Sequence, residues 1–212
     1  MTTTTVPTID SIVLEVADVA AAEAFHAALG VADRVHVRFG EAPTRGFRGY
    51  TLSLVVSQPS TVDAFIRAAL DGGATAVKPP AKSFWGYGGV VQAPDGAIWQ
   101  VATSSKKDTG PAALEYDDLV LLLGVTNVKT TKQFYVEHGL TVTKSFGSRY
   151  VEFASPGQGI DLALYSRRAA AKAAGVDPDG SGSHRIVVRS DAGAFTDPDG
   201  FAWESSTAER HG

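Results

Sequence analysis

Pro94-Asp95-Gly96-Ala97-Ile98-Trp99-Gln100 is answered later in the chain by Pro198-Asp199-Gly200-Phe201-Ala202-Trp203-Glu204. Both stretches are a Pro-Asp-Gly turn running into a short apolar strand with Trp at the same place. Proline presets φ for such a turn, and glycine takes the positive φ that closes it. Upstream lies a second echo. Val13-Leu14-Glu15-Val16-Ala17-Asp18, followed by a helix reaching Phe25 and Gly30, recurs as Leu122-Leu123-Gly124 to Asn127 with a helix reaching Phe134 and Gly139. Two openings and two endings in register indicate an internal duplication, and that reading governs every later one.

The 212 residues then divide into two similar α+β halves, 8–105 and 113–206, joined by the polar linker 106–112, whose Lys106 to Pro111 ends in Gly-Pro. Apolar content of 44% with 20% charged residues is ordinary globular composition. A formal charge of −4 gives no basic footprint for nucleic acid or anionic lipid. The chain has no cysteine, which excludes disulfides, thiolate catalysis and Cys-based zinc sites. Met1 to Thr8 has neither a basic region nor an apolar core of a signal peptide, and no apolar run approaches a membrane span. The expectation is a soluble, cytoplasmic protein, monomer or homodimer, with a small-molecule ligand and neither nucleic acid nor membrane as partner.

In chain order, Ile9 to Val16 reads as a strand with Ile12, Leu14 and Val16 on one face and Ser11, Val13 and Glu15 on the other. Asp18 caps the following helix, which Gly30 stops. Arg34 to Phe39 alternates, with Arg34, His36 and Arg38 sharing a face. Tyr50 to Val56 is a strand. Pro59 opens a helix in capping-box style, with Asp63 in place of Glu. Phe84 to Gly89 is a Gly-rich aromatic segment, followed by closing strands at Val90 to Gln92 and Ile98 to Thr103. In the second half, Leu119 to Val125 is nearly all apolar and should be buried on both faces. Strands at Leu140–Phe146, Arg149–Ala154 and Ile160–Tyr165, a short Ala/Arg helix from Ser166 to Ala174, and a strand from His184 to Arg189 precede the last turn.

A strand, a capped helix ending in Phe-x-x-x-x-Gly, further strands and a closing Asp-Pro-Asp-Gly-x-x-Trp-Glu strand resemble the vicinal oxygen chelate (VOC) superfamily. That superfamily includes glyoxalase I, bleomycin resistance proteins, fosfomycin resistance enzymes and extradiol dioxygenases. The resemblance covers about residues 8 to 206. It implies duplicated βαβββ modules forming two glyoxalase-like domains with cup-shaped mixed sheets. Two modules are trimmed: the first leaves no room for two strands between Phe39 and Tyr50, and the last has no helix between Arg189 and Phe201.

The resemblance also implies a divalent metal in the cup, held by His, Gln or Glu from the first and last strands of modules. Those positions carry Ser11 and Val120 in the opening strands, Tyr50 and His184 in the strands that open the second module of each half, and Gln100 and Glu204 in the closing strands. At the end of the third module Ala163 points inward. Only His184 and Glu204 match, with Gln100 from the other half, whereas a catalytic site wants about three protein ligands and an open position. No cofactor is therefore expected, and a divalent metal held by His184 and Glu204 is the alternative. The pair is expected to face one concave sheet surface within hydrogen-bonding reach and to mark the polar end of an apolar pocket.

Other residues carry competing readings. His36 and Arg38 can meet an anion in a cup, or simply form a solvated strand face. Trp85 and Tyr87 can form an aromatic lip over a pocket, or pack as core. Trp99 and Trp203 alternate away from Gln100 and Glu204 and should be core. Tyr150 and Glu152 share a strand face near the pocket. His26, His138 and His211 are expected to face solvent. The ligand-binding candidates are His184, Glu204, Gln100, Trp85, Tyr87, Tyr50, His36 and Arg38. Three function classes follow: a metal-free protein that binds a small, partly aromatic or amphiphilic molecule in its cup; a metal-dependent lyase, isomerase or dioxygenase; and a structural or regulatory derivative with a filled cup.

Overall fold

The computed structural model describes residues 6–84, 86–157 and 159–206. The first half runs β1 (Ile9–Val16), α1 (Val19–Ala28), β2 (Val35–Phe39), β3 (Thr44–Gly46), β4 (Tyr50–Val55), α2 (Pro59–Asp71), β5 (Thr75–Ser83), β6 (Gly86–Gln92) and β7 (Ile98–Thr103). The second half runs β8 (Asp118–Val125), α3 (Val128–Glu137), β9 (Val142–Ser145), β10 (Tyr150–Phe153), β11 (Asp161–Ser166), α4 (Arg167–Ala174), β12 (Gly180–Gly182), β13 (Ile186–Ser190), β14 (Phe195–Thr196) and β15 (Ala202–Ser205).

Local chemistry sets the helix starts. The Asp18 carboxylate accepts from Ala21 N, and the Asn127 side chain accepts from Lys129 N and Thr130 N, so both expected N-caps form. The start of α2 differs from the capping-box expectation. Gln58 is its N-cap and makes no side-chain cap bond; Pro59 supplies the preset φ instead. The Gln58 amide is used to bind the linker, accepting from Thr109 N and Gly110 N and donating to the carbonyls of Gly110 and Pro111. Ser60 N donates to Asp108 Oδ1 at 2.7 Å, tying the linker to the first turn of the helix.

The strands form a five-stranded sheet of order β14-β15-β13-β1-β2 and an eight-stranded sheet of order β5-β6-β7-β4-β8-β11-β10-β9. Each sheet takes strands from both halves. Antiparallel pairing of β4 with β8 joins them in the large sheet, and pairing of β1 with β13 joins them in the small one. The boundary at the linker thus divides the sequence repeat but not the sheets. Trp99 lies beside Leu52 in a parallel pair, and Trp203 lies beside Val188 in another, so the two tryptophans take matching places. Both are buried in one shared core with Phe25, Tyr135, Leu52 and Val188. The trimmed modules are real: between β2 and β4 lies only the three-residue β3, which pairs with β12 outside both main sheets. Among the described residues no helix lies between β13 and β15.

Candidate functional site

Period-two alternation gives the large sheet one face toward the helices and one concave face. Tyr50, Leu52, Trp99 and Leu121 are buried on the helix side. The concave face carries the intervening residues, and register aligns them in rows. Gln100, Ser53, Val120 and Asp161 form one row; Thr51, Leu122, Ala163 and Glu152 form the next. Gln100 Nε2 donates to Thr51 Oγ1 at 3.1 Å.

A helix occupies the middle of this cup. α4 lays Ala170, Ala171 and Ala174 against Leu122 and Ala163 on one side and against Val90 and Ile98 on the other. Gly124 permits the close approach: a Cβ there would stand 3.0 Å from Ala170 Cβ. This packing explains why β8 is buried on both faces, as its apolar run requires. Ser166 caps the start of α4, and Gly175 in the left-handed conformation ends it. Lys78 Nζ donates to the carbonyls of Lys172 at 3.0 Å and Ala173 at 2.7 Å, placing a cation at the helix C-terminus. At the other end Arg167 binds the carbonyls of Phe47 and Pro178.

Two of the pockets lie on the concave face of the large sheet. One, of about 580 Å³, is bordered by Lys78, Tyr87, Val90, Gln100, Ala102 and Ala173. The other, of about 420 Å³, is bordered by Asp118, Lys144, Tyr150, Glu152 and Asp161 over an apolar floor. There Tyr150 donates to Glu152 at 2.6 Å and Lys144 reaches the same carboxylate at 2.9 Å. Burial works against the Glu152 charge, but those two hydrogen bonds hold its pKa below the usual value. Burial and then the Asp118 charge push Asp161 up. Burial and the Glu152 hydrogen bond push the Tyr150 phenol up.

The small sheet presents a different surface. Its open face carries Glu15, Arg38, Arg189 and Glu204. Arg38 donates to Glu15 at 2.8 Å and to Glu204 at 3.0 Å, while Arg189 Nε stands 3.6 Å from Glu204. β2 and β15 are three strand spacings apart, about 14 Å of sheet, yet Arg38 and Glu204 meet. The Arg38 side chain therefore lies across a curved surface. Two guanidiniums, not metal-binding side chains, flank the Glu204 carboxylate.

Several expected site residues fall elsewhere. His184 and Glu204 share no hydrogen bond and lie on opposite faces. The His184 ring stacks on buried Phe201, centroids 4.0 Å apart, on the core side, while Glu204 shares its face with Arg189. Its Nδ1 is 2.5 Å from the Arg48 carbonyl and its Nε2 is 3.0 Å from the Asp199 carbonyl, so both nitrogens already face backbone oxygens. His184 also precedes β13, and its parity with Ile186 and Val188 accords with the core side; Arg185, with φ 52°, stands between it and the strand. By register Tyr50 corresponds to Ile186 and packs in the core, where burial raises its phenol pKa. Tyr87 borders the larger pocket but turns its hydroxyl to Asp63 of α2 at 2.8 Å. His36 is exposed on the open face of the small sheet. Trp85 and His211 fall outside the described residues. His26 is 1% exposed instead of solvent-facing, and His138 is half-buried, stacked between Phe134 and Phe195.

Gln100 and Tyr87 are thus the expected residues that meet at a pocket. Tyr150 and Glu152 do come together, in the smaller one. The sequence reading missed Lys78, Asp161 and the docking of α4. The alanine triplet after Arg168 was legible as a helix, and its lack of bulky side chains is the signal that it fits a narrow space.

Among the described residues no group of three or more His, Asp or Glu side chains is arranged to hold a metal ion. The centre of the large cup offers Thr51, Leu122 and Ala163, which are not a ligand set for zinc, nickel or iron. No helix is long and apolar enough to cross a membrane. No protein-family model matches the chain, and no curated protein matches its sequence. Solved structures do match. Glyoxalase I from Zea mays is similar over 93% of this chain and 91% of that one, at 13% identity and a TM-score of 0.59. A candidate dioxygenase from Bacillus subtilis is similar over 86% of this chain and 69% of that one, at 14% identity and a TM-score of 0.52. Likeness at such identities speaks for architecture alone: this chain has the vicinal oxygen chelate fold.

Proposed function

We propose that the protein binds a small amphiphilic molecule in the β5–β7 end of its large cup, without a catalytic metal. The observation that carries this is the division of the cup by α4. The helix covers the centre, where metal chemistry would need ligands, and leaves a pocket of about 580 Å³ beside Gln100. That volume suits a small-molecule site, and a mostly apolar lining with a few polar groups is the usual composition. The Gln100 amide supplies the fixed polar point. Isothermal titration against a small-molecule panel tests this, with Ala102→Trp to fill the pocket from an exposed strand position. Ligands that bind the parent should lose binding in this variant while its melting temperature holds. A parent that binds nothing, or that retains stoichiometric zinc or nickel after dialysis, would overturn the proposal.

The docking of α4 also favours a second reading, a structural derivative whose cup is filled for good. The same titration separates them, because that reading expects no ligand.

A further inference from the structure

The lining of the larger pocket carries a charge pattern that points to its ligand. The charged side chains bordering it are Lys78 and Lys82; among the described residues no carboxylate borders it. The pocket on the other side of α4 is the reverse, with Asp118, Glu152 and Asp161 against one lysine. Lys78 and Val90 are cross-strand partners, so the Lys78 stem rises from the floor of the pocket and not from its rim. Its ammonium has three N–H donors. Two go to the carbonyls of Lys172 and Ala173, in the last turn of α4. The third has no partner among the described residues. Both oxygens that hold the ammonium are uncharged, so its positive charge is offset only by the partial charge of the helix end. Around it the lining is apolar: Pro79, Ala81, Val90 and Ala102.

Resting on the binding function proposed above, we propose that the ligand is an anionic amphiphile, an alkyl or aryl carboxylate, whose charged head takes the third N–H of Lys78 and whose apolar body lies on Val90 and Ala102. A charged hydrogen bond in a largely apolar pocket is stronger than a neutral one, which gives the carboxylate its advantage over a neutral molecule of equal size. The arrangement has a second effect. Lys78 holds the end of α4 and the ligand head at once, so occupation adds an anion to the clamp that seats the helix.

The test is titration calorimetry with octanoate, octanamide and octylamine on the full chain, parent and variants. Octanoate is expected to bind at least tenfold more tightly than octanamide, and octylamine not at all. Lys78→Met should bring octanoate down to the octanamide level, and Lys78→Arg should retain most of the preference. Circular dichroism melts of the variants report whether α4 and the fold survive; if Lys78→Met unfolds, the Arg variant and the three-ligand comparison in the parent still decide. Equal binding of octanoate and octanamide would overturn the anionic assignment and leave the binding function standing. Tightest binding of octylamine would also overturn the assignment and point to the acidic pocket. Failure of all three to bind would overturn both.

Discussion

Helix α1 and helix α3 meet their tryptophans in the same way, and one of them does so without hydrogen bonds. In the second half Tyr135 lies 5.2 Å from Trp203, ring to ring, and donates to Asp197 Oδ2 at 2.6 Å. Asp197 Oδ1 accepts from Asp199 N and Phe201 N, so one buried carboxylate organises helix, turn and strand. In the first half the matching residues are His26, Trp99 and Ala93. The His26 ring lies 5.8 Å from Trp99, but Ala93 has no side-chain oxygen to offer, and both ring nitrogens of His26 are buried without a partner among the described residues. The turn there is closed instead by Asp95, which accepts from Ala97 N. The same packing thus survives either a polar junction or an apolar one with an orphaned imidazole. Shape holds the node; the hydrogen bonds decide how it responds to pH and to substitution.

The largest test of that contrast removes the polar junction. Asp197→Ala strands the Tyr135 hydroxyl and two backbone N–H groups in the core, and should cost about 3 kcal/mol or more of stability. Ala93→Gly at the matching place, which removes no partner, should cost far less. Denaturant unfolding of both variants measures the difference, and equal losses would break the comparison. Next comes Tyr135→Phe, which leaves Asp197 its two backbone donors and should cost about 2 kcal/mol, the usual worth of a hydrogen bond to a charged group. Burial and then the Asp197 charge hold the Tyr135 phenol well above its normal pKa, so it remains a donor throughout the accessible pH range.

The smallest effect sharpens the other side. Burial holds the His26 pKa below its ordinary 6.5, so the folded protein keeps this ring neutral where the unfolded chain protonates it. For a base with a lowered folded pKa, the unfolded state binds more protons below 6.5, and stability falls as pH drops through that value. One such group limits the slope to about 1.4 kcal/mol per pH unit. His26→Phe should flatten the stability profile between pH 7 and pH 5 relative to the parent. An unchanged profile would show that His26 finds a partner in solution.

Much of the fold was legible because its signals are local. The repeated Pro-Asp-Gly turns placed Trp99 and Trp203 correctly, and alternation assigned Glu15, Arg38 and Gln100 to the faces away from the core. Asp18 and Asn127 announced their helices through capping chemistry. The partnering of β4 with β8 and of β1 with β13 was not legible, since strand pairing is set by global packing and leaves no period in a single strand. His184 misled because the family resemblance set its expected direction: counted back from Val188 and Ile186, alternation puts it on the core side, opposite Glu204. His26 misled because a helix position next to Phe25 can face the core as easily as solvent, and its burial depends on the Trp99 that meets it. The site was the least legible part. A helix of alanines carries no chemical mark of where it docks, and Lys78 becomes informative only once the carbonyls of α4 lie beside it.

The sharing of both sheets between the halves bears on how such a chain could arise. A protein ending at the linker would expose one edge of β4 and one edge of β1, the two strands that meet the second half. Open edges of that length recruit other strands. Because the halves repeat each other, a second copy of the same half offers suitable partners, and two copies closing on each other would rebuild both junctions. The present chain therefore has the layout of a former homodimer fused head to tail, with the Gln58 and Asp108 contacts fastening the join. The two shared sheets now differ: the large one receives α4 on its concave face, and the small one keeps an open charged face.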